Sequence, residues 1–333
     1  MTASGPERAG RPGRALISDA EAVLRAARRP LVIGIGGGGD VVGAFASAEL
    51  CRLYDGAQPI VGGLTWERRP IDPVPGPRTA AEILDAEEMA PGVLLAGANT
   101  RVAGRDVRFA ESRMAEFLGE QTVLIDPSAG PAAIASGLGH AAQSLNRDLL
   151  LFVDVGGDVL ARGDEPGLRS PLCDALMLAA GARLLESGWT VLLGLFGTGC
   201  DAELTPAEVL ARLAAVATAG GLCGARGLTG PVADRLEEAI KLVPTEASAQ
   251  AVRAFRGAAG RTTIRGGASS VELSTLASVT FYLDLRATIE ASAPLAAAVA
   301  DAASLEAAND ALHGLGVRTE LDLERDSAAR SSP

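Results

Sequence analysis

The stretch Pro30-Leu-Val-Ile-Gly-Ile-Gly-Gly-Gly-Gly-Asp40 decides the fold class of this 333-residue chain. Its apolar beginning predicts a buried strand over residues 30–35, because branched apolar side chains favour the extended backbone. Four consecutive glycines end that strand, and residues 41–54 follow a helical pattern. This succession of strand, glycine-rich turn and helix predicts that the rest of the chain builds a sheet around the turn.

Further apolar runs of strand length alternate with helical patterns. The predicted strands are 59–63, 93–96, 122–126, 149–154, 190–196 and 279–285. The predicted helices are 17–28, 107–118, 131–145, 171–187, 205–217, 231–242, 246–255 and 292–313. Strands that are apolar throughout are buried on both faces. We therefore expect an α/β protein with a doubly wound, mostly parallel sheet of about six or seven strands flanked by helices, a Rossmann-like three-layer architecture.

The chain shows no change of composition typical of an interdomain linker. We expect a disordered tail over residues 1–14, a single α/β domain over residues 15–322 and a frayed tail over residues 323–333. Frequent glycines in residues 218–275 leave room for a small helical subdomain there. Residues 64–78 contain four prolines and three arginines. This composition predicts a long, stiff loop, because proline is excluded from helix interiors and central strands.

The formal net charge of −11, without any run of Lys or Arg, argues against a nucleic-acid partner. The sequence has no stretch of about 18 uncharged apolar residues and no secretory signal, so we expect no membrane span and a cytoplasmic protein with reduced thiols. Four widely spaced cysteines and two histidines argue against a zinc site of the usual type. The alanine-rich segment 292–313 could pack on the sheet or on a second copy of the chain, so a homo-oligomer is left open.

Polar residues follow most of the predicted strands. In open α/β sheets ligands bind beyond the carboxyl ends of the strands, so these residues should converge on one edge. The candidate ligand-binding residues are Gly36, Gly37, Gly38, Gly39, Asp40, Trp66, Glu67, Arg68, Arg78, Gly156, Gly157, Glu165, Ser170 and Thr198. The candidate catalytic residues are Asp154, Asp158 and Asp201, of which Asp154 and Asp158 are also the candidate metal ligands. This convergence is the main functional indication in the sequence.

The glycine turn matches the G-x-G-x-x-G pattern of dinucleotide-binding turns at Gly34, Gly36 and Gly39. We do not expect NAD, because no acid ends the second strand to bind a ribose, and the nearest one is Glu67. A P-loop would need Gly-Lys followed by Ser or Thr, which is absent from the turn. Open N–H groups at a helix N-terminus still favour an anion, although Asp40 would repel one unless a cation lay between them. Asp40 could instead cap the helix.

The string Asp154-Val-Gly-Gly-Asp158 places two carboxylates in one tight turn after the fifth predicted strand. Hard cations take oxygen ligands of this kind, so Mg²⁺ or a substrate amino group would suit the turn. Asp201-Ala-Glu203 repeats the arrangement after the sixth strand. The alternative is that Asp158 only caps a short helix, and a purely structural role is equally open for Asp201 and Glu203.

The proline-rich loop could close over an anionic ligand. The guanidinium groups of Arg68, Arg69 and Arg78 are planar forks that could clamp a carboxylate or phosphate. Trp66 could stack on a ring. The alternative is that these are surface arginines on a rigid loop. Cys200 would need a neighbouring base to act as a nucleophile, and chain position places neither histidine beside it.

Five segments of the chain form a recognisable set. They are Gly34-Ile-Gly-Gly-Gly-Gly-Asp-Val-Val-Gly-Ala44, Trp66-Glu-Arg68, Asp154-Val-Gly-Gly-Asp158, Glu165-Pro-Gly-Leu-Arg-Ser-Pro-Leu-Cys-Asp174 and Gly197-Thr-Gly-Cys-Asp-Ala-Glu-Leu-Thr205. Together they resemble a bacterial and archaeal α/β family catalogued as a domain of unknown function. The resemblance implies a shared fold and a shared site, but no reaction. The first aspartate turn is also similar to a glycine-rich motif of D-glutamate cyclase-like proteins.

These observations predict a small-molecule metabolic protein, an enzyme that binds an anionic metabolite or nucleotide with Mg²⁺ at the carboxyl edge of the sheet. ATP or another nucleotide is the expected cofactor, and ligase, transferase or lyase chemistry would fit. One alternative is a non-catalytic accessory or gatekeeping protein of a biosynthetic pathway that acts on a partner enzyme, since few His and Lys side chains are available for proton transfer. Another is a D-glutamate-cyclase-like lyase.

Overall fold

The computed structural model describes residues 16–331, so the tail predicted for residues 1–14 lies outside it. The strands are β1 (Pro30–Gly34), β2 (Ile60–Leu64), β3 (Ile83–Ala90), β4 (Val93–Val102), β5 (Thr122–Ile125), β6 (Leu149–Val155), β7 (Val191–Phe196), β8 (Leu222–Gly227), β9 (Gly260–Ile264), β10 (Ser269–Leu273) and β11 (Val279–Asp284). The helices are α1 (Ala20–Ala26), α2 (Asp40–Asp55), α3 (Ala110–Leu118), α4 (Gly130–Ser144), α5 (Pro171–Glu186), α6 (Pro206–Thr218), α7 (Gly230–Ile240), α8 (Ala247–Phe255), α9 (Leu285–Ser292), α10 (Pro294–Ala298), α11 (Leu305–His313) and α12 (Glu320–Ser331). Within the described range, none of the helices has both the length and the apolar character needed to cross a bilayer.

The central sheet has the strand order β3-β4-β5-β2-β1-β6-β7-β11-β8. Its middle strands, from β5 to β7, run parallel, whereas the pairs at both edges are antiparallel. Val32 of β1, for example, pairs with Val61 of β2 and Leu151 of β6. The predicted α/β class and parallel centre are confirmed. The predicted count of six or seven strands is wrong, because the described residues build a mixed sheet of nine.

The strands that the sequence did not predict in this sheet lie at its two edges. β3 carries the charged residues Asp85, Glu87 and Glu88, and β8 contains two glycines and Arg226. An edge strand is partly exposed, and charge there hinders pairing with other chains. Neither strand therefore has the continuous apolar run by which a central strand is recognised.

Apolar cores cover both faces of the sheet. Leu31 and Ile33 of β1 join a core that includes α4 and α5, whereas Val32 joins the opposite core, which includes α2. Successive side chains of a strand point to opposite faces, so a central strand between two cores must be apolar throughout. Helices on both faces produce the three layers that the sequence predicts.

The chain reverses its direction of growth between β1 and β6, which are neighbours in the sheet. From β1 it proceeds to β2 and later β5 on one side, and it then adds β6 and β7 on the other. Such a reversal opens a crevice beyond the carboxyl ends of the two strands. A Cβ on Gly34 would lie 2.5 Å from the carbonyl carbon of Asp40, so α2 begins directly against the end of β1.

The C-terminal part differs most from the sequence prediction. The helix expected over residues 292–313 is divided, because Pro294 begins a new helix after α9 ends at Ser292. The frayed tail expected from residue 323 is instead helical to Ser331, as part of α12. Residues 218–275 contain β8 of the central sheet and the hairpin of β9 and β10 besides two helices, and so are not purely helical.

Candidate functional site

Six acidic side chains gather at the crevice, where β1, β6 and β7 end. They are Asp40 at the start of α2, Asp154 in β6, Asp158 after β6, Asp174 in the first turn of α5, and Asp201 and Glu203 after β7. We call them the acidic cluster. Carboxylate oxygens of Asp154, Asp158 and Asp174 lie within 4.8 Å of one another. A second set of three, Asp158, Asp201 and Glu203, is equally close and shares Asp158 with the first.

The central carboxylates of the cluster are buried without hydrogen-bond partners. Both oxygens of Asp154 and both of Asp174 are enclosed and accept no hydrogen bond from residues 16–331, and the two residues are 1% and 2% exposed. Oδ2 of Asp201 is likewise buried and accepts no hydrogen bond from the described residues. A buried carboxylate is unfavourable unless it is paired or protonated. The cluster is therefore favourable only when protons or a cation neutralise it.

The cluster holds its protons at higher pH than ordinary carboxyl groups do. Burial raises the pKa of Asp40 to about 7 and that of Asp201 to about 8, and neighbouring negative charges add to the effect. Burial likewise raises the pKa values of Asp154, Asp158 and Asp174 well above the usual range. Protons and a metal ion would therefore compete for these oxygens near neutral pH.

Two glycines make room for the cluster. A Cβ on Gly156 would lie only 2.7 Å from Oδ1 of Asp201, and the φ of +135° at this position also favours glycine. A Cβ on Gly36 would lie 2.5 Å from Oδ2 of Asp40 and 3.8 Å from Oδ1 of Asp174. Both turns thus lack side chains at the points where carboxylates approach the backbone.

The glycine turn uses part of its hydrogen-bonding capacity internally. The Gly36 N–H donates to Oδ2 of Asp40 at 3.0 Å, and the Gly38 N–H donates to the carbonyl of Trp66 at 2.9 Å. Gly37 lies against Trp66, and Gly39 lies against Thr245, where a Cβ would be 2.5 Å from the threonine Cβ. Two of the four N–H groups are therefore already committed, which weakens the case for a bare phosphate in this turn.

Trp66 and Arg68 are held by the C-terminal helix rather than left open. The Trp66 indole is fully buried and donates to Glu324 at 3.0 Å, and the Arg68 guanidinium lies 4.6 Å from the Trp66 ring centre. Arg68 also donates to the Gly36 carbonyl at 2.7 Å and lies 3.5 Å from the carboxylate of Glu320. The Trp66 ring is thus covered by Arg68, and Arg68 joins the proline-rich loop to the glycine turn.

Arg78 and Glu165 have other partners. Arg78 is buried and donates to Asp72 at 2.8 Å and to the Gly76 carbonyl at 2.8 Å, so it fixes the shape of the proline-rich loop. Glu165 accepts from the Gly163 N–H at 2.9 Å and pairs with Arg212 at 2.9 Å. Neither residue makes a contact with the acidic cluster in these interactions.

Ser170 and Glu203 form the outer wall of the cluster. Ser170 Oγ donates to Glu203 at 2.6 Å and lies 3.4 Å from Asp158. The N–H groups of Arg169 and Ser170 also donate to Glu203, at 2.7 and 2.8 Å. Thr198 lies close by in the chain, and its hydroxyl is buried without a partner. Gly157 packs against Val209, beside which a Cβ would not fit.

Cys200 is fully buried, and burial raises the pKa of its thiol to about 12. A thiolate is therefore disfavoured at neutral pH. The histidines have other partners: a ring nitrogen of His140 lies 2.7 Å from the Ser136 carbonyl, and His313 pairs with Asp322 at 2.7 Å. The geometry gives Cys200 no activating base among these groups.

A second acidic pair lies at the end of β2. Glu67 accepts a hydrogen bond from the Ala110 N–H and so caps α3, and burial raises its pKa to about 7. Glu111 is 1% exposed, packs against Gly63, and neither of its oxygens accepts a hydrogen bond. Burial raises the pKa of Glu111 well above its usual value, with the charge of Glu67 adding to the shift. The sequence offers no sign that α3 brings this carboxyl to β2.

Glu111→Gln should remove a pH-dependent loss of stability. A carboxyl with a raised folded-state pKa favours the folded state at low pH, and this contribution is lost as the pH rises above 4.5, the ordinary value. As the pH rises, the free energy of unfolding of the variant should increase relative to that of wild type by up to about 1.4 kcal/mol per pH unit. Urea denaturation from pH 5 to 8 measures this. If the difference in free energy of unfolding between variant and wild type stayed constant over that range, a buried, protonated Glu111 would be contradicted. The control is Glu116→Gln, because Glu116 is exposed on the same helix.

Some members of the site could not be found by counting residues after strands. Asp174 lies 16 residues beyond Asp158 at the start of α5. In the sequence it is an acid in the first turn of a helix and the last residue of one family segment, but it does not follow a strand. Glu320 comes from the C-terminal helix and accepts from the N–H groups of Leu172 and Cys173, both at 2.9 Å. Arg265, which pairs with Glu203 at 3.2 Å, comes from the β9–β10 hairpin. Tertiary packing alone brings these three to the crevice.

Comparison with known proteins places the chain in a family. A family model described as "Protein of unknown function (DUF1152)" matches residues 31–328, most of the chain. No curated protein and no solved structure gives a significant match. The predicted resemblance to a family of unknown function is thereby confirmed. The five segments quoted above, the crevice between β1 and β6 and the acidic cluster all lie within the matched range, and the chain belongs to the DUF1152 family.

Proposed function

We propose that the protein is a metal-dependent enzyme in which the acidic cluster binds Mg²⁺, and that the metal positions an anionic metabolite or nucleotide in the crevice between β1 and β6. The observation that carries the proposal is the state of Asp154 and Asp174. Their four oxygens are buried without hydrogen-bond partners, beside further carboxylates. A cation is the partner that satisfies several such oxygens at once.

The spacing of the oxygens supports a metal ion as the occupant. Ligand oxygens of an octahedral Mg²⁺ ion are separated by roughly 3.0 Å when adjacent and roughly 4.2 Å when opposite, since each Mg–O bond is about 2.1 Å. One carboxylate oxygen from each residue of a set of three lies within 4.8 Å of the other two, so a small contraction brings the three into that range. Asp154, Asp158 and Asp174 would hold one ion. Asp201 and Glu203, with the shared Asp158, offer a second position.

A metal ion bound by the cluster would favour an anionic ligand. A carboxylate-rich site alone repels phosphates and carboxylates, whereas a bound Mg²⁺ attracts them and polarises their oxygens. Nucleotides belong to this ligand class, because Mg²⁺ is commonly bound by one or two carboxylates together with substrate phosphates. We place the activity in the cytoplasm and in small-molecule metabolism, a placement that the four free, buried thiols support.

Calorimetric titration of the metal-free protein with MgCl₂ at pH 6 and pH 8 tests the proposal. We expect binding at both pH values and a higher affinity at pH 8, because the raised pKa values of Asp40, about 7, and Asp201, about 8, let protons compete at pH 6. A melting-temperature increase with Mg²⁺ should follow the same order. Absence of both heat and stabilisation at pH 8, with Mg²⁺ and also with Mn²⁺, would refute the metal site. Addition of ATP to the Mg²⁺-loaded protein then tests the nucleotide.

A further inference from the structure

The β9–β10 hairpin lies outside the central sheet and carries an arginine to the acidic cluster. Ile264 and Val271 of the hairpin are buried in the same core as α2, which anchors its stem. At its tip, Arg265 has a φ of +53°, a left-handed conformation that is uncommon for residues other than glycine. The Arg265 N–H is fixed by a 2.8 Å hydrogen bond to Glu246. The backbone is therefore held in a disfavoured conformation that directs this side chain to the cluster.

The guanidinium of Arg265 is only partly satisfied. Its Nη2 lies 3.2 Å from Glu203, while its Nη1 is buried and has no hydrogen-bond partner in the part of the chain that the structure describes. Glu203 does not depend on this pair, because Ser170 Oγ and the N–H groups of Arg169 and Ser170 also donate to it. Transfer of Arg265 to another acceptor would thus leave Glu203 with three hydrogen bonds. A buried, unpaired guanidinium nitrogen beside a carboxylate cluster indicates a further acceptor.

There is room for such an acceptor next to Glu203. A groove of about 360 Å³ runs beside the hairpin, and Glu203, the partner of Arg265, is the member of the acidic cluster that lines it, together with Arg261, Glu208 and Glu272. A small anion in this groove would lie between the hairpin and Glu203, and the metal ion would offset the charge of the three glutamates. The planar fork of an arginine suits two oxygens of one phosphate group.

We propose that Arg265 binds the phosphate group of the ligand and thereby determines specificity for phosphorylated metabolites, the phosphate being held between Arg265 and the metal ion at Asp201 and Glu203. This assignment rests on the proposed metal site and adds the ligand class to it. Arg265 acts by binding and orienting the anion. The ligand phosphate would replace Glu203 as the partner of Arg265.

Pyrophosphate serves as the probe, titrated by calorimetry into full-length protein in saturating MgCl₂, with identical MgCl₂ in both solutions. We expect wild type to bind it and Arg265→Gln to weaken binding about 10- to 100-fold, the loss typical of a charge-assisted hydrogen-bond pair. Arg265→Lys should fall between the two, because lysine keeps the charge without the fork. The control is Arg256→Gln, an exposed arginine after α8 that pairs with Asp234 and Glu237, none of which lines the groove; this variant should bind pyrophosphate within about twofold of wild type.

The Mg²⁺ titration separates this inference from the proposed function. Arg265→Gln should bind Mg²⁺ at least as tightly as wild type, because it removes a positive charge from the cluster. The role of Arg265 is refuted if the variant binds Mg²⁺ and also binds pyrophosphate as tightly as wild type does. It is also refuted if Mg²⁺-loaded wild type does not bind pyrophosphate. In both cases the metal site is unaffected. If wild type binds no Mg²⁺, the proposed function fails and this inference fails with it.

Discussion

Replacement of Asp174 by Asn is expected to weaken Mg²⁺ binding by at least about 100-fold, since even a residue behind the metal ligands typically contributes about 10- to 100-fold to affinity. Asp174 has both oxygens buried and unpartnered within 4.8 Å of ligand atoms of Asp154 and Asp158. Loss of its charge removes a ligand that no neighbouring side chain replaces in that set. Calorimetry at pH 8 on wild type and variant measures the change.

The same substitution should leave the metal-free protein at least as stable as wild type at pH 8. Burial and like charges make an ionised Asp174 unfavourable, and asparagine removes that charge at nearly constant shape. Urea denaturation in a chelator measures the free energy of unfolding. A variant that is less stable and still binds Mg²⁺ normally would show that Asp174 is a structural residue.

Asp284→Asn provides the matched control for Asp174→Asn. Asp284 is an equally buried aspartate, 4% exposed, at the end of β11, which runs antiparallel to the parallel strands and so ends at the opposite edge of the sheet. Its carboxylate accepts hydrogen bonds from the N–H groups of Ile17 and Ala287. Asparagine can still cap α9 through Oδ1, but its amide N–H would face the Ile17 N–H and leave that donor unpaired. We therefore expect this variant to lose about 1–3 kcal/mol of stability and to retain its Mg²⁺ affinity. Asp174→Asn should thus lose Mg²⁺ affinity but not stability, whereas Asp284→Asn should lose stability but not Mg²⁺ affinity. This contrast distinguishes a metal ligand from a structural aspartate.

Gly156→Ala is expected to destabilise the fold by about 3 kcal/mol or more and to abolish Mg²⁺ binding. The φ of +135° disfavours any side chain, a strain of roughly 1–3 kcal/mol. The added Cβ would also lie 2.7 Å from Oδ1 of Asp201, and overpacking of a core adds about 1–3 kcal/mol. Urea denaturation gives the first quantity, and calorimetry gives the second.

Gly224→Ala measures the backbone strain alone, so its difference from Gly156→Ala gives the contribution of the steric clash. Gly224 in β8 has nearly the same backbone angle, φ +139°, but a Cβ there would meet only the Ala20 side chain at 3.8 Å, an ordinary contact. It should therefore show the backbone strain without the clash, and Mg²⁺ binding should persist. Equal losses of stability in the two variants, with Mg²⁺ binding intact in both, would mean that Asp201 yields readily and that the crevice is not tightly packed.

The centre of the fold could be read from the sequence because its physical constraints are local. β1 and β6 lie between two apolar cores, so their side chains are apolar up to Asp154 near the end of β6, and β1 ends in Gly34 because α2 approaches so closely. The edge strands β3 and β8 face solvent, so their sequences resemble loops. The helicity of α12 depends on contacts with Trp66 and Arg68, more than 250 residues away in the chain.

Some residues of the candidate site could likewise be predicted from their position along the chain, and others could not. Asp154, Asp158 and Asp201 lie at or just beyond the ends of β6 and β7, two adjacent parallel strands. Parallel strands bring their carboxyl ends to one edge, so the order of these residues along the chain is enough to predict that the three converge. Glu165 and Arg78 also follow strands, but they hydrogen-bond to their own loops.

The role of the glycine turn, Gly36 to Gly39, depends instead on tertiary packing. As a sequence it resembles an anion-binding turn, whereas in the fold Gly36 and Gly38 donate to Asp40 and Trp66. The sequence determined where the chain reverses and which acids lie at that edge, because strand burial and strand direction depend on neighbouring residues. Tertiary packing decided that Asp174, Arg265 and the C-terminal helix close the crevice, because side chains from distant segments meet only when the layers pack.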